Sequence, residues 1–192
     1  MRAEDIRKEI DVLFYDEGST IKEQYIIGID GMCCSGKTTL AQELAEEYNC
    51  NVFHMDDFFL RPEQRTQERL SEIGGNVDYE RFLEEVIKPL KTGKTFTYRP
   101  FDCFSMQLME PVRVIPKRWN IIEGAYSLHP YLGDIYDYRF FMDVEEALQK
   151  ARIIKRNGKE RYERFISEWI PKENAYFKTF QIDAVNENCR QK

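Results

Sequence analysis

The stretch Gly31-Met-Cys-Cys-Ser-Gly36-Lys37-Thr38 constrains this chain more than any other. It fits the phosphate-binding pattern G-x-x-x-x-G-K-[ST]. An apolar run, Tyr25-Ile-Ile-Gly-Ile29, precedes it and reads as a buried strand. Thr39-Leu-Ala-Gln-Glu-Leu-Ala45 follows and reads as the opening of a helix. The pattern alone arises by chance on the order of once in 150 chains of this length, and the flanking strand and helix make chance rarer still. Glycine lets the backbone wrap closely around phosphate oxygens. The N–H groups of the turn and of the new helix then point at the anion. The pattern assigns Gly31, Cys33, Cys34, Ser35, Gly36, Lys37, Thr38 and Thr39 to the phosphates of ATP. Lys37 would reach the β- and γ-phosphates, and the Thr38 hydroxyl would ligate Mg²⁺.

The chain has 192 residues, a length that suits one domain over 1–192 with a sizeable core. No apolar run approaches the length of a membrane span. Met1 to Asp11 is highly charged and lacks a signal-peptide core, so a cytoplasmic protein with no membrane partner is expected. The 5 cysteines show no zinc-ligand spacing, and reduced thiols are expected. A redox role for Cys33 is weighed because a helix N-terminus lowers a thiol pKa. The net charge of −6 argues against a nucleic-acid partner. Against that background, Lys150, Arg152, Lys155, Arg156, Lys159, Arg161 and Arg164 form one basic segment. Such a segment suits a small anionic ligand, or is simply a solvated helix face.

Along the chain, Ala3 to Phe14 reads as an amphipathic helix broken by Gly18-Ser19-Thr20. Strands are expected at Tyr25 to Asp30, Asn51 to Met55, Trp119 to Gly124 and Tyr138 to Asp143. Helices are expected over Lys37 to Tyr48 and after an N-cap at Asp78. A further helix after Asp143 turns Val144, Leu148, Ala151 and Ile154 inward, and helical segments around Arg161 to Trp169 and Lys172 to Phe180 complete the chain. Arg61 to Asn76 reads as a mobile loop. Thr95 to Tyr98 and Val112 to Ile115 read as an antiparallel hairpin. The pattern is an α/β, P-loop NTPase fold: a mostly parallel sheet flanked by helices, with a β-hairpin insertion and a small lid near 152–165.

Asp56-Asp57 directly follows the second strand, where residues beyond strand C-termini face the ligand crevice. Asp56 there takes a proton from an attacking hydroxyl or holds Mg²⁺ through water; otherwise the pair caps a helix and is solvated. Glu123 ends a strand as a Walker B-like acid near the metal. Arg152 and Arg156 share a helix face and suit closure over a triphosphate, with Arg161 beyond Asn157-Gly158. Phe58, Phe59, Tyr79, Tyr98, Phe101 and Tyr126 are either pocket or core.

These pieces together resemble the uridine kinase and phosphoribulokinase family of P-loop kinases. The resemblance runs from Ile26 to Phe180 and rests on Gly28-Ile-Asp-Gly31, Ser35-Gly-Lys-Thr-Thr39, His54-Met-Asp-Asp-Phe-Phe59, Val77-Asp-Tyr-Glu-Arg-Phe82, Tyr98-Arg-Pro-Phe-Asp102, Ile121-Ile-Glu-Gly124 and the arginine-rich segment. It implies Asp56 as the catalytic base, Lys37 and Arg156 as further catalytic groups, and Arg152 and Arg156 on ATP. It implies Asp56, Phe59, Asp78, Phe101, Asp102, Tyr126 and Arg161 around the acceptor, and Thr38 and Glu123 at Mg²⁺. Phe104-Ser105-Met106 stands where uridine kinases carry a histidine. Asp56-Asp-Phe-Phe59 and Glu168-Trp-Ile-Pro171 also resemble nicotinamide riboside kinases. The function expected is ATP-dependent phosphorylation of a small-metabolite hydroxyl, first a nucleoside such as uridine or cytidine, next nicotinamide riboside or another metabolite. The partner expected is a small-molecule acceptor, with a homo-oligomer allowed. A non-catalytic nucleotide-binding regulatory module is the reading from another class.

Overall fold

The computed structural model describes residues 1–15 and 22–187. The expected break at Gly18-Ser19-Thr20 lies outside the described residues. In chain order the elements begin with helix α1 (Ala3–Tyr15), strand β1 (Tyr25–Gly31), helix α2 (Lys37–Tyr48), strand β2 (Asn51–His54) and short helix α3 (Gln67–Ser71). A helical stretch over 79–90 leads to β3 (Phe96–Tyr98), β4 (Phe101–Asp102), β5 (Gln107–Leu108) and β6 (Val112–Val114). Strands β7 (Trp119–Glu123) and β8 (Tyr138–Met142), a helix Glu146–Asn157 and a helical stretch over 159–180 follow.

The four apolar runs form one sheet in the order β2-β7-β1-β8, with every neighbouring pair parallel. Their side chains alternate between two cores, because successive strand residues point to opposite faces. Ile27, Ile29, Ile121 and Phe140 join Ile6, Ile10, Leu40 and Leu44 from α1 and α2. Ile26, Ile122 and Phe141 join Phe82, Val86, Tyr176 and Phe177 on the other face. Burial on both faces explains why these strands read as continuous apolar runs. The hairpin forms as expected, with Phe96 opposite Val114, and encloses a second pair in which Phe101 faces Leu108.

Three expectations change. The second strand stops at His54, because Met55–Phe58 winds into a 3₁₀ turn. In helix Glu146–Asn157 the inward residues are Gln149 and Ile153, whereas Leu148 is 43% exposed. The apolar spacing missed this phase because Gln149 turns in to donate to the Cys33 carbonyl at 3.1 Å. The segment from Arg61 to Asn76 is not bare loop: it folds a 3₁₀ turn at Pro62–Gln64 and then α3, capped by Thr66.

Proline shapes the two long helical stretches in one way. Within 79–90 the Lys88 N–H bonds the Leu83 carbonyl, five residues back, just before Pro89. Within 159–180 the Ile170 N–H bonds Phe165 in the same manner, just before Pro171. Proline lacks an N–H and its ring crowds the carbonyl four residues earlier. A widened π turn absorbs that crowding, so each helix continues through its proline.

Arg69 of α3 ties the 62–80 region together. Its guanidinium donates to both Glu80 carboxylate oxygens at 2.7 Å, to the Val77 carbonyl at 2.9 Å and to the Tyr79 hydroxyl at 2.7 Å. It also lies 4.0 Å from the Tyr79 ring centre. Several charge-assisted bonds on one planar fork are not reproduced by an ammonium. Arg69→Lys is expected to destabilise the fold by about 1–3 kcal/mol, since Glu80 is partly solvated. The check is a lower urea midpoint with an unchanged slope; an unchanged midpoint would deny Arg69 this role.

Candidate functional site

All four sheet strands run parallel, so their C-terminal ends share one edge. Gly31, His54 and Glu123 end β1, β2 and β7 there, and a cleft of about 1090 Å³ opens above them. That volume holds a nucleotide and a second small molecule.

The phosphate loop is shaped by positive φ angles at Gly31 (141°), Cys34 (58°) and Gly36 (113°). A side chain at position 31 would place Cβ 2.0 Å from the Met142 carbonyl oxygen, so only glycine fits. Helix α2 starts at Lys37 with no side-chain cap. Its first-turn N–H groups therefore face the cleft without a protein side chain, a ready site for an anion. Ser35 adds a buried hydroxyl with no hydrogen-bond partner.

The loop is braced from within. Lys37 Nζ donates to the Gly31 and Met32 carbonyls at 2.7 and 2.8 Å. Arg152 donates to the Cys34 and Ser35 carbonyls at 3.0 and 2.9 Å. The Cys33 N–H donates to Glu173 Oε2 at 2.9 Å. Burial holds the Cys33 thiol above its ordinary pKa, and the Glu173 charge adds to the rise.

The acids cluster at the strand ends. Thr38 Oγ1 donates to Glu123 at 3.1 and 3.3 Å, and His54 Nδ1 lies 2.5 Å from Glu123 Oε1. A hydroxyl and a carboxylate are hard oxygen donors that suit Mg²⁺, which takes its remaining ligands from waters and phosphates. Asp56 reaches solvent at the cleft mouth. The cleft walls strip water from it and Glu123 repels its charge, which raises its pKa, while Lys37 and Arg156 oppose the rise. Solvent access moderates the effect. His54 is raised by its bond to Glu123, against the effect of burial.

The cleft brings together Cys33, Cys34, Ser35, Gly36, Lys37, Thr38, Thr39, Asp56, Phe59, Glu123, Tyr126, Arg152, Arg156 and Arg161 from the expected set. Gly31 lies beneath the loop. Three others do not line it. Asp78 caps the 79–90 helix through the Arg81 N–H at 3.0 Å and accepts from Gln64 at 2.7 Å. Phe101 is buried in the fold. Asp102 closes its own turn on the Phe104 and Ser105 N–H groups. Of the aromatics, Phe58, Tyr79 and Tyr98 are core, and Phe59 and Tyr126 reach the cleft. Sequence reasoning missed Glu173, Arg65, Asn76 and Trp169 on the cleft wall. The Trp169-Ile-Pro171 run was noticed, but nothing local marks Glu173 as a loop partner.

His129 stands behind this wall, its ring centre 4.4 Å from Tyr79 and 6.0 Å from Tyr176. Its Nδ1 accepts from the Tyr131 N–H at 3.2 Å, so Nε2 carries the proton and faces the Ile73 carbonyl. Burial lowers its pKa.

The fold and the phosphate loop define a P-loop nucleotide-binding architecture. No family model matches the chain. Among curated proteins it is similar to uridine-cytidine kinase A of Dictyostelium discoideum, 27% identical over 156 residues, covering 77% of this chain and 31% of that protein. It is also similar to the uridine kinase of Staphylococcus aureus, 28% identical over 151 residues, covering 73% of this chain and 72% of that protein. The chain spans about a third of the first of these and of uridine kinase-like protein 3 of Arabidopsis thaliana. Among solved structures, a possible uridine kinase from Bacillus stearothermophilus superposes with a TM-score of 0.61 at 22% identity, over 85% of this chain and 96% of that one. D-glycerate 3-kinase from Cryptococcus neoformans gives 0.56 at 14% identity, over 88% and 86%. The chain is uridine kinase-like in sequence and fold. No helix among the described residues is long and apolar enough to cross a membrane.

The chain has 2 histidines, and their ring signals should titrate on opposite sides of the ordinary value of 6.5, His129 below and His54 above. The linked stability terms have opposite signs. That of His129 is complete above pH 6.5 and lost as pH falls through 6.5 toward its folded value. That of His54 is complete below pH 6.5 and lost as pH rises through its folded value. Proton-resolved NMR titration checks both; coincident curves would contradict the two environments.

Proposed function

We propose that this chain is an ATP-dependent phosphotransferase acting on a hydroxyl of a small metabolite, with uridine or cytidine the first acceptors to test. The observation that carries the reading is one cleft in which the phosphate loop, a carboxylate just beyond β2 with no hydrogen bond among the described residues (Asp56) and three arginines converge. The relatives named uridine kinase support it and point to a nucleoside.

In this reading the α2 N-terminus and Lys37 bind the triphosphate, and bound Mg²⁺ neutralises phosphate charge. Thr38 and Glu123 hold the metal side. Asp56 accepts the acceptor hydroxyl's proton, and its raised pKa makes it a better base than an ordinary aspartate. Arg152 and Arg156, on the helix end, and Arg161, beyond Gly158, belong to a lid over about 152–165. The lid stabilises charge and excludes water. Phe59 and Tyr126 frame the acceptor directly. Asp78, Phe101 and Asp102 shape that wall from behind.

Arg65 favours a particular orientation on the acceptor side. Its Nε donates to the Leu60 carbonyl at 2.9 Å, and it lines the cleft beside Phe59, Asn76 and Cys103. A guanidinium there suits the carbonyl edge of a base, or the amide of nicotinamide riboside.

The test is an ATP-consumption screen with Mg²⁺ over nucleosides, nicotinamide riboside and other hydroxylated metabolites, with product mass measured. One acceptor should gain a single phosphate. Asp56→Asn should then lower kcat by roughly 100- to 10,000-fold with ATP affinity retained. Near-native turnover in that variant would remove Asp56 from the base role. ATP binding with no transfer to any acceptor would favour the regulatory nucleotide-binding module.

A further inference from the structure

We propose that His54 is a positioning residue that orients the metal site through Glu123 and Thr38. The inference rests on the reading above, in which Thr38 and Glu123 form the Mg²⁺ side of the cleft.

The sheet itself creates the pair. Strands β2 and β7 are parallel neighbours, and His54 and Glu123 are direct partners in their register. Both are the last residues of their strands, so both side chains stand at the edge that carries the cleft. His54 Nδ1 lies 2.5 Å from Glu123 Oε1. Since the partner is a carboxylate, Nδ1 is the donor.

Glu123 has almost no exposed surface, at 3%, and its carboxylate has two bonded partners, His54 and the Thr38 hydroxyl. A buried carboxylate is held where its donors are. With Nδ1 fixed on Oε1, the group is oriented to accept a hydrogen bond from the Thr38 hydroxyl. A hydroxyl that donates its O–H to Glu123 turns its lone pairs away from it, toward a cation in the cleft. The order of control runs His54, Glu123, Thr38, cation. Outer residues that orient a ligand set in this manner typically change metal affinity 10- to 100-fold when removed.

A merely structural role predicts something else. The His54 side chain is 31% exposed, so its ring contributes modestly to the core. Loss of packing would lower the melting temperature and weaken nucleotide binding with or without metal. Loss of orientation acts only when metal is present.

The experiment is calorimetric titration of ATP into the full chain, once with Mg²⁺ and once with EDTA, so that no acceptor is needed. The readout is the gain in ATP affinity that Mg²⁺ provides. In His54→Ala that gain should shrink 10- to 100-fold, with affinity in EDTA unchanged and the melting temperature within a few degrees. His54→Asn, which keeps a donor near the Nδ1 position, should recover most of it. Glu123→Gln should shrink the gain as well. If Glu123→Gln reduces the gain and His54→Ala does not, the inference about His54 fails alone. If His54→Ala weakens binding equally in Mg²⁺ and EDTA, its role is structural and the inference is overturned. If Glu123→Gln leaves the gain intact, the metal-side reading fails and takes this inference with it.

Discussion

The arrangement of this molecule depends on Asp30, a carboxylate with no exposed surface at the end of β1. Its own chain neighbour and two distant segments donate to it: the Gly31 N–H at 2.7 Å, the Leu128 N–H at 2.9 Å and the Tyr176 hydroxyl at 2.8 Å. Burial raises its pKa, against these donors and the nearby Lys37 charge. Removing donors from a buried carboxylate costs several kcal/mol. The entry to the phosphate loop, the turn after β7 and the helical stretch 159–180 are therefore fixed together. Tyr176 and Glu173 lie three apart on one helix face. Docking Tyr176 on Asp30 is what carries Glu173 to the Cys33 N–H.

That coupling gives the cleft its charge layout. Asp56, Glu123 and Glu173 bring negative charge to the cleft, and Arg152, Arg156 and Arg161 bring positive charge. A polyanion carrying Mg²⁺ would suit this mixture, with its cation near acids and its phosphates near arginines. Within the cleft some charged groups also bond the loop: Lys37 sits on loop carbonyls and Glu173 on a loop N–H.

Much of the sheet was legible in the sequence because parallel strands buried on both faces leave apolar runs with sharp ends. The phosphate loop was legible because few residues tolerate its backbone. What failed to show was any feature whose cause lies far away in sequence. Gln149 replaces an apolar residue on the inner helix face because Cys33, 116 positions earlier, offers it a carbonyl. The 62–76 segment looked like loop because its order comes from one arginine, Arg69, reaching Val77 and Glu80. Asp78 looked like part of the acceptor site and like a helix cap; the cap reading is the one its bonds fulfil, through Arg81 and Gln64. Pro89 and Pro171 fall inside helical stretches, and π turns carry both helices past them.

The same contrast separates the two halves of the cleft. The phosphate side is built from consecutive residues, Cys33 to Thr39, so its chemistry is written as a motif. The rest of the cleft wall is assembled from residues such as Phe59, Arg65, Asn76, Cys103, Tyr126 and Trp169, which are scattered along the chain. Two of these positions are set by local structure: Arg65 by its bond to the Leu60 carbonyl and Tyr126 by a positive φ of 69° in the turn after Gly124. A bulky residue in that conformation is strained, and it persists because Tyr176 packs against its ring at 4.8 Å. Since Tyr176 is itself docked on Asp30, the position of Tyr126 and the entry to the phosphate loop are tied to one carboxylate. Other wall residues, such as Arg65 and Cys103, can vary while the Asp30 links and the phosphate loop stay intact.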